Sequence, residues 1–242
     1  MQLFFVGSTV GPLVDSLHNQ CLLAYDVAPI TISNPFTSSE SSLFCSSWAV
    51  PPLLGVAYIV LGFILPKLLA NITGGNYNCQ TTDEGELRNK AIWAVMSTAF
   101  IIKLSEYLQT HDAIALGGSA LTLDAQTKLG IMAAADAVQW LALDRTPVAL
   151  LAATITAFGG PLSELPFVAH GFWHYLPESA DYLPLSGDVF QSGGIADALA
   201  SMLLGEGYKD LSLSSITGPC YFAVTTDAIA LGRYFYQSRL SK

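Results

Sequence analysis

The chain has 242 residues, 52% of them hydrophobic and only 12% charged, with a formal net charge of −9. A soluble domain carries roughly 25% charged residues, so this sequence lacks the ionic coat of an aqueous surface. With 10 Lys and Arg against 19 Asp and Glu, it also has no basic patch to neutralise phosphates, which excludes nucleic acid as a partner.

Six apolar stretches follow one another, over residues 3–24, 48–70, 91–110, 126–143, 147–172 and 216–236. Each is close to the ~20 residues a helix needs to cross the hydrocarbon of a bilayer. The first carries Asp15 and His18; it lacks the basic start and small-residue cleavage site of a signal peptide and reads as a spanning helix. The second opens on Pro51 and Pro52, where missing amide donors cost little. The third follows the acidic run Asp83–Glu86, which suits a helix N-terminus. The fourth and fifth are separated only by Asp144-Arg145-Thr146, with Pro147 opening the fifth. Gly159-Gly160-Pro161, then Glu164 and Pro166, predict a break in the fifth, and Trp173-His174-Tyr175 an aromatic anchor at its exit. The sixth follows Gly218-Pro219.

The connections are polar. Residues 25–47 hold Pro29, Pro35 and a serine cluster, and residues 71–85 hold Gly74-Gly75. Residues 173–215 form an extended loop, in which Ile195, Leu199, Met202 and Leu203 fall at helical spacing. That spacing fits an amphipathic helix on the membrane surface or a short buried helix. The fold class expected is all-α: one polytopic domain over 1–242, a six-transmembrane-helix bundle.

Orientation follows from Lys and Arg. Six spans put Lys67, Arg88, Lys90, Arg145, Arg233, Arg239 and Lys242 on the side of the N-terminus, and only Lys128 and Lys209 opposite. Both termini are therefore expected on the cytoplasmic side, or its organellar equivalent. Asn71-Ile72-Thr73, a glycosylation triplet, then lies on the wrong side for modification. Cys21, Cys45, Cys79 and Cys220 form no CxxC pair and read as free thiols.

Ionisable residues inside spans are expensive unless paired or turned inward. Asp15 and His18 are one turn apart, as are Lys103 and Glu106. With Asp136 and Asp227 these are expected to act as interhelical polar pairing, or else to line a proton or substrate path. No HExxH, repeated ExxH, GxSxG or SxxK pattern is present, so no metal site and no catalytic residue is assigned.

Three motifs then carry a family resemblance. Ser47-Trp48-Ala49-Val50-Pro51-Pro52 with Gly55 resembles the Trp-x-x-Pro-Pro-x-x-Gly opening of the second span in Insig proteins, six-span regulators of sterol homeostasis. Trp140-Leu141-Ala142-Leu143-Asp144-Arg145-Thr146 resembles their Trp-x-x-Phe-Asp-Arg-Ser turn. Pro219-Cys220-Tyr221-Phe222 with Gly232-Arg233 resembles their closing motif. The resemblance implies a non-enzymatic protein without a cofactor, holding a sterol or another membrane lipid such as diacylglycerol among its helices. It also implies docking of other integral membrane proteins in the endoplasmic reticulum, with Asp144 and Arg145 at the partner-binding turn. Gly55, Gly160, Pro161 and Glu164 are the candidate lipid-binding residues. Lys103, Glu106 and the enlarged 173–215 loop have no counterpart in the family. A plastid or other organellar membrane is the alternative location. The alternative functions are an accessory subunit of a large membrane complex and a small transporter.

Overall fold

The structure is a computed structural model that describes residues 1–33, 42–75, 77, 83–116, 119–191 and 193–240. Pro35, most of the serine cluster, Cys79 and Lys242 lie outside the described residues, as does the side chain of Arg239.

The chain opens with α1 (Gln2–Leu22), then β1 (Leu23–Tyr25), β2 (Pro29–Ser33) and β3 (Ser42–Ser47). Helix α2 (Val50–Ile59) passes through a π-helical turn at Val60–Ile64 into α3 (Leu65–Thr73), which stops at Gly74 with φ +66°. Helix α4 (Glu84–Thr110) begins seven residues before the expected span. Its N-cap is Asp83, whose carboxylate accepts from the amides of Gly85 and Glu86 at 3.2 and 3.3 Å. That cap lets the acidic run join the helix instead of preceding it. The β4 (Ala113–Leu116) and β5 (Ser119–Thr122) ribbon leads to α5 (Ala125–Leu143), capped by Asp124 on the Thr127 amide at 2.8 Å. Helix α6 (Pro147–Ala169) follows, capped by Thr146. The remaining elements are β6 (Trp173–Tyr175), α7 (Asp188–Gln191), α8 (Ile195–Leu204), a 3-10 turn at Tyr208–Asp210, and α9 (Thr217–Leu240).

Three of these helical runs are long and apolar enough to cross a membrane by length and composition: Val50–Thr73, Glu84–Thr110 and Pro147–Ala169. Their outer faces expose large apolar side chains, among them Ile64, Ile72, Trp93, Phe100, Ile155 and Phe158. Contiguous exposure of this kind does not suit water. Helix α9 is the reverse case. No residue from Thr217 to Phe235 is exposed, and Thr225, Thr226 and Asp227 are all at most 1% accessible. A helix ringed by protein needs no lipid-facing side, so its sequence can be polar. Threonines and an aspartate then supply hydrogen bonds between helices.

The close approach of α9 rests on small residues. A Cβ on Gly232 would lie 2.3 Å from the Gly62 carbonyl oxygen, and one on Gly62 would lie 2.3 Å from that of Ala228. Gly62 sits in the π turn, which breaks the regular carbonyl–amide ladder. Its carbonyl accepts instead from the Tyr77 hydroxyl at 2.8 Å.

Two expectations change. The all-helical reading describes the bundle but misses, among the described residues, three two-stranded antiparallel ribbons, β1–β6, β2–β3 and β4–β5. These lie in the connections, where backbone groups outside helices need partners. The second is the predicted break at Gly159-Gly160-Pro161. Helix α6 runs through both Pro161 and Pro166 without interruption. Pro161 has no amide to offer the Ala157 carbonyl. Gly218 packs against that carbonyl, such that a Cβ there would come within 2.8 Å of it, so α9 braces the helix where it would otherwise open.

Candidate functional site

Helices α5 and α6 diverge over α9 and leave between them a half-open cavity of about 740 Å³. Leu129, Ala133, Ala137 and Trp140 form one wall, and Leu150, Ala157, Phe158, Pro161 and Leu162 the other. Gly218, Pro219 and Phe222 make the floor, and Tyr182 and Ser215 stand at one end. Ser215 is fixed by Asp181, whose carboxylate accepts from its amide at 2.7 Å and its hydroxyl at 2.5 Å. The lining is apolar apart from these two residues and Asp136. Asp136 is 4% accessible, and its Oδ1 has no hydrogen-bond partner among the described residues. A cavity of this size, mostly hydrophobic with few polar groups, has the form of a small-molecule site.

Of the four candidate lipid-binding residues, only Pro161 lines this cavity. Gly55 lies at the α1–α2 crossing, where a Cβ would meet the Phe4 ring at 2.8 Å. Gly160 faces the Tyr221 ring, where a Cβ would come within 2.3 Å. Glu164 is half-buried in an aromatic cage. Its Oε2 accepts from the Tyr175 hydroxyl at 2.6 Å and the Trp173 indole at 3.4 Å, and its Oε1 from the Tyr221 hydroxyl at 2.8 Å. That arrangement staples β6 to α6 and α9, so Trp173 and Tyr175 point inward at 8% and 5% exposure. The aromatic cluster at the helix exit is thus packing, not a membrane anchor.

The predicted pairings divide. His18 and Asp15 meet at 3.6 Å, and His18 Nδ1 also reaches Ser105 Oγ at 3.0 Å and Cys220 Sγ at 3.8 Å, tying α1 to α4 and α9. Asp15 further accepts from Asn19 at 2.5 Å and Tyr25 at 3.3 Å. Lys103 and Glu106 form an ion pair, but Lys103 is 59% exposed and points outward, against the expectation of inward-turned charge. It lies seven residues from the end of α4, so its long stem can carry the ammonium toward the interface. Asp227 finds Tyr58, whose hydroxyl donates to Oδ2 at 2.7 Å, and no ionic partner among the described residues. Asp136 is the exception to the pairing expectation. Cys21, Cys45 and Cys220 are free thiols. No group of three or more His, Cys, Asp or Glu suited to a metal occurs among the described residues.

The turn between α5 and α6 is held from inside. Asp144 forms an ion pair with Arg233 of α9, with side-chain exposures of only 2% and 4%. The Arg233 Nε also donates to the Tyr77 carbonyl at 3.1 Å. Asp144 Oδ1 accepts from the Thr146 amide at 2.9 Å and from its hydroxyl. Arg145 takes a left-handed φ of +62° and is exposed. Arg233 and Tyr77 carry no local sign of this role, because the contact joins residues far apart in the chain.

A family model described as insulin-induced protein (INSIG) matches residues 1–222. The fold also matches a crystal structure of a mycobacterial Insig homolog, MvINS from Mycobacterium vanbaalenii. There the TM-score is 0.58 at 16% sequence identity, covering 98% of this chain and 94% of that one. A crystal structure of a cross-linked trimer of an MvINS variant gives the same TM-score and coverage at 17% identity. No curated protein matches the chain. Identities this low establish likeness of fold, whereas the family model spans nearly the whole sequence and covers the first two motifs and Pro219–Phe222 of the third. The chain belongs to the insulin-induced protein (INSIG) family.

Proposed function

We propose that this membrane protein holds a lipid or sterol in the cavity between α5 and α6 and docks other integral membrane proteins, without catalysing a reaction and without a cofactor. The observation that carries this reading is the cavity itself: apolar walls from α5 and α6, a half-open form, and a volume of about 740 Å³. A hydrocarbon chain or sterol ring leaves the bilayer for such walls at little cost in solvation. Filling the space restores the dispersion contacts its lining lacks. A ligand that binds one spacing of α5 and α6 better than another shifts the population of that spacing, and with it the shape offered to a partner.

Partner docking is assigned to the α5–α6 turn. Asp144 is engaged with Arg233 and Thr146, so its contribution is the shape of the turn, while the exposed Arg145 makes the contact. All six long helices span the bilayer in this reading, with both termini on the cytoplasmic or equivalent side. The endoplasmic reticulum is the membrane the family resemblance favours, with a plastid or other organellar membrane as the alternative.

The test is lipid extraction from purified protein followed by mass spectrometry, with thermal unfolding in the presence of added diacylglycerol or sterol. Stoichiometric co-purifying lipid and a rise in Tm support the reading. Protein free of lipid whose Tm ignores both additives defeats it. For docking, Arg145→Gly preserves the left-handed turn and should release co-purifying membrane proteins without lowering Tm.

A further inference from the structure

Among the described residues, the cavity is lined by one acidic side chain and no basic one. Asp136 lies at mid-helix in α5, roughly 16 Å along the axis from its start, which is far from water if α5 spans. It is 4% accessible and keeps one carboxyl oxygen without a partner, on a helix face that lines the cavity. A buried unsatisfied acceptor is costly, and native structures leave few of them. Oδ1 itself is turned away from the open space, and a rotation of the carboxyl group about its Cβ–Cγ bond brings it to face a ligand in the cavity.

We infer that Asp136 is a specificity-determining residue of the cavity and accepts a hydrogen bond from the free hydroxyl of a neutral lipid, either a diacylglycerol or a sterol. This rests on the lipid-binding reading above. Three features select the chemistry. The orphaned oxygen accepts, and a hydroxyl can donate to it and also accept from the carboxyl group when that is protonated, whereas an ether or ester can only accept. No Lys or Arg among the described residues lines the cavity, so a phosphate headgroup would meet a carboxyl group with nothing to neutralise it. An ammonium headgroup pays heavily for burial at this depth, whereas a hydroxyl does not. A fully esterified or ether-capped lipid fills the same walls and leaves the orphaned oxygen without a donor.

The neighbouring amide defines the rival. Gln139, one turn along α5, donates from Nε2 to Thr98 Oγ1 at 2.8 Å and to Ser97 Oγ at 3.0 Å, while its Oε1 has no partner. A protonated Asp136 turning to that oxygen would satisfy both groups internally, and the cavity would then be indifferent to a ligand hydroxyl.

The experiment is native mass spectrometry of the full chain in detergent, titrated with 1,2-dioleoylglycerol and its 3-O-methyl ether, and with cholesterol and its 3-O-methyl ether. Wild-type protein should bind one free alcohol about tenfold or more tightly than its ether, and the pair that discriminates identifies the source. Asp136→Leu should bind alcohol and ether equally. It should also unfold at a higher temperature than wild type when empty, because an unsatisfied carboxyl has gone. Asp136→Asn keeps an acceptor and should keep part of the preference. Equal binding of alcohol and ether by wild type, or a preference that survives Asp136→Leu, overturns the assignment to Asp136 and leaves lipid binding in place. Failure of all four lipids to bind wild type removes the cavity reading and the assignment with it.

Discussion

Asp144 and Arg233 form a buried ion pair that joins the α5–α6 turn to α9, with both side chains at most 4% accessible. Removing one partner leaves the other charge buried and alone, which typically costs about 3–5 kcal/mol. Asp144→Ala and Arg233→Ala should each lower stability by that order in reversible unfolding. The double variant should lose far less than the sum of the two. Additive losses would mean the pair does not couple the turn to α9. Loss of partner binding in Asp144→Ala should accompany the loss of stability, whereas loss in Arg145→Gly should not.

The α9 crossing gives a second expectation. Gly62→Ala and Gly232→Ala each place a methyl group 2.3 Å from a backbone carbonyl oxygen. Both should destabilise by about 1–3 kcal/mol or more. Gly159 has nothing within 4 Å of an added Cβ, so Gly159→Ala should be neutral or stabilising by up to about 1 kcal/mol through helix propensity. Equal effects at the three sites would contradict the crossing.

Glu164 tests the aromatic staple. Glu164→Ala removes an acceptor from Tyr175, Tyr221 and Trp173, for an expected loss of about 1–3 kcal/mol. The visible consequence is faster proteolysis within residues 173–215, because β6 is no longer fastened to α6 and α9. An unchanged digestion rate would show that the β1–β6 ribbon alone holds the loop.

Helix α8 presents Ile195, Met202 and Leu203 outward at 82%, 73% and 61% exposure, with Leu199 beside them at 49%. These side chains are not buried against the rest of the chain, and we propose that they rest on the membrane surface. A spin label at Leu199 should be more accessible to oxygen than to a polar nickel reagent in proteoliposomes; the opposite order would place α8 in water. Its anchor is pH-dependent. Hydrogen bonds from Tyr208 and Lys209 hold the Asp197 carboxyl below its ordinary value. An acid whose pKa is depressed by folding stabilises the fold above its unfolded pKa of about 3.9 and loses that contribution as pH falls through the lower, folded value. Amide protection across Tyr208–Asp210 should be flat from about pH 5 to 8 and fall only below about pH 4.

Much of the bundle is legible in the chain because apolar length is a local property. The expected 126–143 and 147–172 segments correspond to Ala125–Leu143 and Pro147–Ala169, and Pro147 opens its helix as its missing amide allows. The site is less legible. Ala133, Leu150 and Phe158 are ordinary membrane residues until α5 and α6 diverge over α9. Glu164 looks like a cavity acid because its cage comes from Tyr175 and Tyr221, 11 and 57 residues away. The Gly-Pro pair reads as a break because the sequence does not show Gly218 bracing Ala157. Asp136 reads as one more paired charge because an absent partner leaves no trace in the sequence.

The central claim is that the space between α5 and α6 holds a lipid. The most direct measurement is photolabelling in native-composition proteoliposomes with a diazirine-bearing diacylglycerol and a diazirine-bearing sterol, followed by peptide mapping. One of the two should label residues 129–140 and 157–162 at saturable occupancy, competed by its unlabelled parent. Labelling confined to the outer faces, such as Trp93 and Phe100 on α4, and rising linearly with probe concentration, would contradict a lipid held in the cavity.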